Sequence, residues 1–275
     1  MRKSKEQTKH EKHSVCITTY FDKSYKEMGE LSLKTIRKYA EVHGFDVRLF
    51  NKLKTNRPPA WNKILIVQRL LKDTKKYDFV LWVDSDALFV RFNEDIRKEI
   101  QPGKDFYLTK HDGPNTGLFL IKSSEWSKKF LEDTWNFKKY IYHNLWENAA
   151  INDLLGYRDT LVFNKYKIFI KEILYKLKCK NLITNLIGGT QINKYIYNLF
   201  EKPTKSNQDN VNQKEKNKNI DRELQKVKWL DSKWNSVPDY PSSKPIIKHY
   251  PSIPHQERLR RMIEDFKGIK IEGIK

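Results

Sequence analysis

The stretch that most constrains the fold of this chain is FVLWVDSDALF, residues 79–89. Its first five residues are large and apolar without a polar break, which fits a strand covered on both faces, as in a parallel sheet flanked by helices. The run ends abruptly in Asp84 and Asp86, separated by Ser85. Open sheets of that kind bind ligands outside the carboxyl ends of their strands, so both carboxylates are expected at that edge. A hard divalent cation, Mn²⁺ or Mg²⁺, takes oxygen ligands and keeps positions open for substrate phosphate oxygens. Two carboxylates on one short turn make a partial site that a diphosphate can complete. For the tripeptide alone, a turn in which the aspartates cap the following segment is an equal alternative.

The flanking sequence alternates strand and helix patterns. Val15–Tyr20 (VCITTY) reads as a first strand, residues 24–43 as a helix stopped by Gly44, and Asp46–Phe50 as a second strand. Pro58 and Pro59 introduce AWNKILIVQRLLKDTKKY, in which Ile64, Val67 and Leu71 share one helical face. This order predicts a doubly wound α/β domain whose early strands form a nucleotide pocket. Further on, residues 106–109 and 117–121 read as short strands around the turn HDGPNTG. Residues 124–140 read as a helix with Trp126, Phe130 and Trp135 inward, and residues 144–155 as another, closed by Gly156.

Residues 166–200 are basic, with Ile170, Ile173, Leu174 and Leu177 forming a stripe among Lys167, Lys171, Lys176, Lys178 and Lys180. Such a helix either lies on an anionic membrane, a peripheral contact through 166–200, or packs on the domain with its basic face in solvent. Residues 202–219, KPTKSNQDNVNQKEKNKN, predict a flexible loop. Order resumes with WLDSKWNSVPDYP, the strand-like PIIKHY and a basic terminal helix. The expected organisation is a polar leader (1–13) and a single domain (14–275). Its nucleotide-binding half is 14–110, its acceptor half and metal-completing segment are 111–156 and 229–255, and 157–228 is a basic helical and flexible insertion.

A formal net charge of +20 on 275 residues invites a nucleic-acid reading. The excess is mostly Lys mixed with Asn and Ile, and no nucleic-acid motif accompanies it, so no nucleic-acid partner is expected. The charge suits anionic membranes or sugar nucleotides instead. Only Cys16 and Cys179 are present, which excludes a disulfide framework and fits a reducing compartment. The opening MRKSKEQTKHEKHS lacks the apolar core of a signal peptide, and no run is long enough to span a bilayer. A cytoplasmic or peripheral membrane location is the expectation.

Taken in order, PAWNKILIVQRLL, YDFVLWVDSDALF, NTGLFLIKSSEW, LWENAAINDLL, WNSVPDYP and IIKHYPS resemble the motifs of the galactosyl/xylosyltransferase family. That family includes the yeast galactomannan and mannan enzymes and the plant xyloglucan xylosyltransferases. The resemblance implies a GT-A fold, a Rossmann-like nucleotide-diphospho-sugar transferase. It also implies a glycosyltransferase that moves a sugar from a nucleoside-diphosphate donor, typically UDP-linked, to a glycan acceptor, with Mn²⁺ and with retention. Carried onto this sequence, Asp86 is the direct metal ligand, Asp84 faces the ribose and the metal shell, and His249 completes the coordination. Trp61 and Lys63 match a W-x-K whose ammonium meets diphosphate oxygens. Asn115, Thr116 and Gly117 match an N-x-G that a sugar approaches. Glu147 and Asn148 match the acidic-amide pair of W-E-Q on the polar side of their helix, at the acceptor hydroxyl and the anomeric carbon. Thr18, Thr19 and Tyr20 are candidates for the nucleoside, and Ser85 and Lys248 join the donor pocket.

Three features depart from the pattern: Asn148 stands in place of Gln, Ser252 in place of Gly, and the segment 157–228 is enlarged. A phosphotransferase of the haloacid-dehalogenase type also places D-x-D after an apolar strand, but on its first strand and with a later acidic pair. Here two strands come earlier and no such pair is evident. A non-catalytic basic module binding nucleic acid or lipid leaves the D-x-D and N-x-G blocks unexplained.

Overall fold

The computed structural model describes residues 13–53, 55–72, 77–158, 161, 165–176 and 213–269. Its centre is strand β3 (Phe79–Val83), buried at every position. Alternation along β3 sends Val80 and Trp82 into one apolar cluster and Phe79, Leu81 and Val83 into another on the opposite face. Complete burial of such side chains stabilises by about 1.5–3 kcal/mol each, so this strand anchors both apolar layers.

Around it lie β1 (Val15–Tyr20), α1 (Lys26–His43), β2 (Asp46–Phe50) and α2 (Asn62–Lys72), followed after β3 by the short β4 (Ala87–Phe89). Then come β5 (Phe106–Lys110), β6 (Pro114–Lys122), α3 (Glu125–Asn136), α4 (Trp146–Leu154), α5 (Lys165–Lys176), α6 (Gln213–Gln225), β7 (Val227–Leu230), β8 (Ile247–His249) and α7 (His255–Lys267). The main sheet has the order β2-β1-β3-β6-β5-β7, and β4 pairs with β8 in a separate ribbon. Helix α1 contributes Ile36, Tyr39 and Ala40 to one face of the sheet, while α2, α3 and α4 cover the other through Ile64, Val67, Phe130, Leu131, Ala149 and Ala150. As expected, Gly44 caps α1 in the left-handed region, at φ 67°.

The sheet is mixed rather than parallel. Strand β3 runs parallel to β1 but antiparallel to β6, because β6 returns from β5 through a hairpin with no crossover helix. The hairpin turn is only His111 to Gly113, closed by the His111 N–H on the Gly113 carbonyl at 3.1 Å. Asn115, Thr116 and Gly117 therefore belong to strand β6, not to the turn, and a register shift between Leu108 and Thr109 accommodates them. The helix expected over 124–140 ends at Asn136 and continues as a 3₁₀ turn, Lys138–Tyr140.

The basic insertion is corrected in two places. Residues 213–219 begin the helix α6 rather than a flexible loop. Lys, Glu and Gln propagate a helix well, and this one is anchored where Leu224 meets the core and Glu223 accepts the Trp126 indole N–H at 2.7 Å. Order then resumes at Val227, which pairs with Phe106 in the sheet, so the insertion ends before residue 228. Of the two readings of α5, an apolar face packed on the domain beneath a solvated basic one does not hold. Lys171 is buried, with its ammonium on Asn144 and 4.5 Å over the Trp146 ring, while Phe169, Ile170 and Ile173 are exposed. Leu177 and the remainder of the 166–200 stripe, and residues 202–212, lie outside the described residues.

Candidate metal centre and the Lys63 cluster

Strand β3 ends at Val83, and the Asp84 N–H bonds the Gly117 carbonyl at 2.8 Å, tying the DSD turn to β6. The turn closes with the Ala87 N–H on the Asp84 carbonyl at 3.1 Å, and Ala87 enters β4 opposite His249 on β8. A local turn and a cross-strand pair thus bring together residues 165 positions apart in some cases; Asp84, Asp86 and His249 offer ligand atoms that all lie within 4.8 Å of one another.

In each carboxylate one oxygen is occupied by a protein donor and the other is turned toward the imidazole. Asp84 Oδ1 accepts from the Trp82 indole at 2.6 Å and from Lys63 Nζ at 2.9 Å, while Oδ2 lies 3.9 Å from His249 Nε2. Asp86 Oδ2 accepts from Arg258 Nη1 at 2.7 Å, while Oδ1 lies 3.4 Å from the same imidazole nitrogen. Burial alone would raise the Asp86 carboxyl, but the bond and charge of His249 and the charge of Arg258 hold it below the usual carboxylate range. Two carboxylates beside one imidazole form a mixed oxygen and nitrogen donor set that suits a dication such as Mn²⁺. The residues present fit the metal expected from the motifs.

Lys63 links this corner to the acceptor helix. Its ammonium donates to Glu147 Oε1 at 2.8 Å, to Asp84 Oδ1 at 2.9 Å and to the Thr116 carbonyl at 3.1 Å. Burial alone would lower its pKa, yet Asp84 and Glu147 outweigh that and raise it. Burial also raises the Glu147 carboxyl; Lys63 opposes this and Asp84 adds to it. One ammonium serves two carboxylates, so Lys63 is the firmest charge of the three. All three donor positions of an ammonium are in use, so Lys63 is a buried strut rather than a group waiting for diphosphate.

Glu147 is buried, at 3% exposure, on the face of α4 turned toward β6, and is not an ordinary solvated helix charge. Its Oε1 also accepts from the Thr116 hydroxyl at 3.3 Å, whereas its Oε2 is buried with no partner. Asn148 accepts from the Thr116 N–H at 3.1 Å. Immediately before them Trp146 sits at φ 50°, a strained value for a bulky residue.

Other expected positions are placed differently. Trp61 is fully buried, donates to the Ile141 carbonyl at 3.1 Å and meets Trp135 edge-on, so it belongs to the core rather than to a donor pocket. Lys248 neighbours His249 on β8 and so faces the opposite way, where it pairs with Asp265 at 2.6 Å; it is not in the site. The Thr18 hydroxyl is buried and spent on the Arg48 carbonyl at 2.9 Å, joining β1 to β2. Thr19 keeps a buried hydroxyl without a partner, and Tyr20 and Ser85 are half-buried. Asn115 accepts from the Gly117 N–H and from Asn235, both at 2.9 Å. A Cβ on Gly117 would lie 2.0 Å from His249 Cε1, so this glycine makes room for the imidazole itself.

Two further residues touch this corner without a place among the expected site residues. Arg258, on α7, reaches Asp86, and Asn235 contacts His249. Asn235 stands in a recognised block, WNSVPDYP, whereas nothing in the pattern of the basic terminal helix separates Arg258 from its neighbours.

Residues 11–106 match the sequence profile of the galactosyl transferase GMA12/MNN10 family. Xyloglucan 6-xylosyltransferase 1 of Arabidopsis thaliana is 30% identical over 118 residues, which are 38% of this chain and 25% of the relative. Probable xyloglucan 6-xylosyltransferase 1 of Oryza sativa subsp. japonica is 33% identical over 116 residues, with the same shares. The chain thus spans about a quarter of the length of these curated relatives. In overall shape it is similar to a glycosyltransferase involved in the glycosylation of the major capsid of PBCV-1. That likeness has a TM-score of 0.53 at 12% identity and covers 91% of this chain and 99% of that one. The mixed sheet and its covering helices are those of the GT-A fold.

Proposed function

We propose, from the premise that residues 11–106 place this chain in the galactosyl transferase GMA12/MNN10 family, that it is a metal-dependent glycosyltransferase. It would move a sugar from a nucleoside-diphosphate donor, UDP-linked, to a hydroxyl of a glycan acceptor. The observation that carries this reading is the convergence of Asp84, Asp86 and His249 at the carboxyl end of β3. When bound there, a dication offsets the charge that builds on the departing diphosphate.

The chain's own residues supply the rest. Trp82 and Lys63 hold one oxygen of Asp84 and leave the other to face the imidazole. Lys63 also fixes Glu147 by its Oε1, so the partnerless Oε2 is the buried acceptor available to an incoming hydroxyl. Burial, which raises the Glu147 carboxyl, makes that oxygen a better proton acceptor than an ordinary carboxylate. The Thr116 N–H holds the carbonyl end of Asn148 and leaves its amide end for a bound sugar. Retention rests on the family resemblance.

A screen of UDP- and GDP-sugar hydrolysis with and without Mn²⁺, run beside Asp86→Asn, tests the proposal. Donor turnover is expected with Mn²⁺ and not in the variant. Absence of binding and turnover for every donor, or normal behaviour of Asp86→Asn, would overturn it.

The outward Phe169, Ile170 and Ile173 of α5 support a peripheral contact with an anionic membrane. No helix among the described residues is long and apolar enough to cross one. Sedimentation with phosphatidylserine vesicles should fall in Phe169→Asp, and an unchanged bound fraction would sink that contact.

A further inference from the structure

We infer that Asn235 is a positioning residue that keeps the hydrogen of the neutral His249 ring on Nδ1, so that when the ring gives up its second proton the Nε2 lone pair is the one turned toward Asp84 and Asp86. The inference deepens the metal-centre reading and rests on it for its consequence, although the tautomer itself is a property of the protein without metal.

The polarity follows from a group whose role cannot be reversed. The backbone N–H of Gly117 can only donate, and it lies 2.9 Å from one end of the Asn115 carboxamide, so that end is the oxygen. The same oxygen is 2.9 Å from the Asn235 carboxamide, which must present its NH₂ there. The same NH₂ also reaches the Thr109 hydroxyl at 3.1 Å, which can accept from it. The other end of Asn235 is therefore Oδ1, and it stands 3.0 Å from His249 Nδ1. A carboxamide oxygen only accepts, so Nδ1 carries the hydrogen. In the neutral ring this leaves the lone pair on Nε2, 3.4 Å from Asp86 Oδ1 and 3.9 Å from Asp84 Oδ2.

Water does not compete for these bonds, because Asn235 and Thr109 are fully buried and His249 is 4% exposed. The backbone enforces the same arrangement. The His249 N–H bonds the Ser236 carbonyl at 2.9 Å and the Ser236 N–H bonds the Ile247 carbonyl at 3.0 Å, which seats the residue after Asn235 against β8. On the ring's flank, Gly117 leaves no room for a methyl group. The opposite tautomer would place an N–H between the carboxylates, where it would satisfy them and obstruct a cation. Partners on the far nitrogen of a metal-binding imidazole set its orientation and basicity, and their loss typically weakens metal affinity about 10- to 100-fold.

Long-range ¹H–¹⁵N NMR of the imidazoles in the metal-free protein at alkaline pH, with Mn²⁺ titrated separately by calorimetry, provides the test. Wild type is expected to show His249 with a protonated Nδ1 and a pyridine-like Nε2. Asn235→Ala should lose that preference and bind Mn²⁺ about 10- to 100-fold more weakly. Asn115→Asp, which keeps an acceptor for both the Gly117 N–H and Asn235, should retain the wild-type tautomer. Asn235→Asp keeps an acceptor for Nδ1–H and should do the same, so it decides the matter if the alanine variant does not fold. A protonated Nε2 in wild type or in Asn235→Asp, or an unchanged tautomer and affinity in folded Asn235→Ala, would overturn the inference. Failure of wild type to bind Mn²⁺ would instead strike the metal-centre reading, because the NMR result needs no metal.

Discussion

Two buried carboxylate clusters lie on the two ends of helix α4, and they differ in what they leave unfinished. Asp153 is saturated: Oδ2 accepts from the Tyr140 hydroxyl at 2.6 Å and from Lys139 at 2.7 Å, while Oδ1 accepts from Arg158 at 3.1 Å. Its two cations are 41% and 50% exposed, so their charges cost little desolvation. Around Lys63 the cation is buried, Glu147 Oε2 has no partner, and Asp84 Oδ2 faces His249 across 3.9 Å. A saturated network holds a fold together. An unsaturated one, in an otherwise well-paired interior, is completed by something that binds.

The largest expected effect separates the clusters by readout. Glu147→Gln should lower turnover of the donor and acceptor pair about 10²- to 10⁴-fold, the usual worth of a positioned proton acceptor, while the stability it loses is limited because Lys63 keeps Asp84 as a partner. Asp153→Asn should leave turnover per folded molecule unchanged and lose roughly 1.5–3 kcal/mol of stability, the worth of hydrogen bonds to a charged group, because Lys139 and Arg158 are left half-exposed rather than stranded. Steady-state kinetics and urea denaturation on both variants check the pair, and a Glu147→Gln that melts early but turns over normally would erase the distinction.

Lys63→Met comes next. It would leave the buried Glu147 and the half-buried Asp84 without their shared ammonium, at a cost of roughly 3–5 kcal/mol. Combining it with Glu147→Gln should recover part of that loss, since one of the two stranded charges is then gone. Additive losses in the double variant would mean that the three groups are not coupled.

Acid should act on the saturated cluster in a definite direction. Burial alone would raise Asp153, but bonds from Lys139, Tyr140 and Arg158 more than reverse it and lower its pKa. A depressed carboxylate contributes stability above its unfolded value of about 3.9 and loses it as pH falls through the folded value. The stability gap between wild type and Asp153→Asn should therefore be constant near neutrality and close below about pH 4. Urea midpoints between neutral and acid pH measure this.

How much of this was readable beforehand differs between the clusters for a physical reason. Apolar runs located β1 and β3 and their residues, because the side chains of one strand report on its own burial. Asp84, Asp86 and His249 came from motif order, and the structure brings them together. What the sequence could not convey was direction and occupancy. Whether Lys63 is free or already bonded depends on Thr116 and Glu147, 53 and 84 positions away, and the role of Asn235 depends on Thr109 of β5, Asn115 of β6 and His249 of β8. Helix α6 was hidden for another reason: its polar composition resembles that of a loop, and its anchoring to Trp126 is tertiary.

The smallest effect tests where backbone strain is kept. Beside the saturated cluster, the left-handed position is filled by Gly156 at φ 84°, which carries no penalty. Among the described residues the non-glycine left-handed positions are Trp146, adjacent to Glu147, and Ser252, three residues after His249. Both therefore lie on the unsaturated side. Ser252 is exposed, at φ 60°, so Ser252→Gly would relieve a conformational cost of about 1 kcal/mol without disturbing a contact. The thermal midpoint should rise by about 2–4 °C, the shift expected for that energy in a domain of this size. Because Gly is also the residue that the related motif carries at this position, donor binding should be unchanged or tighter. A variant that melts lower, or that weakens Mn²⁺ binding, would show that the Ser252 side chain supports the His249 corner, and strain would no longer distinguish the two clusters.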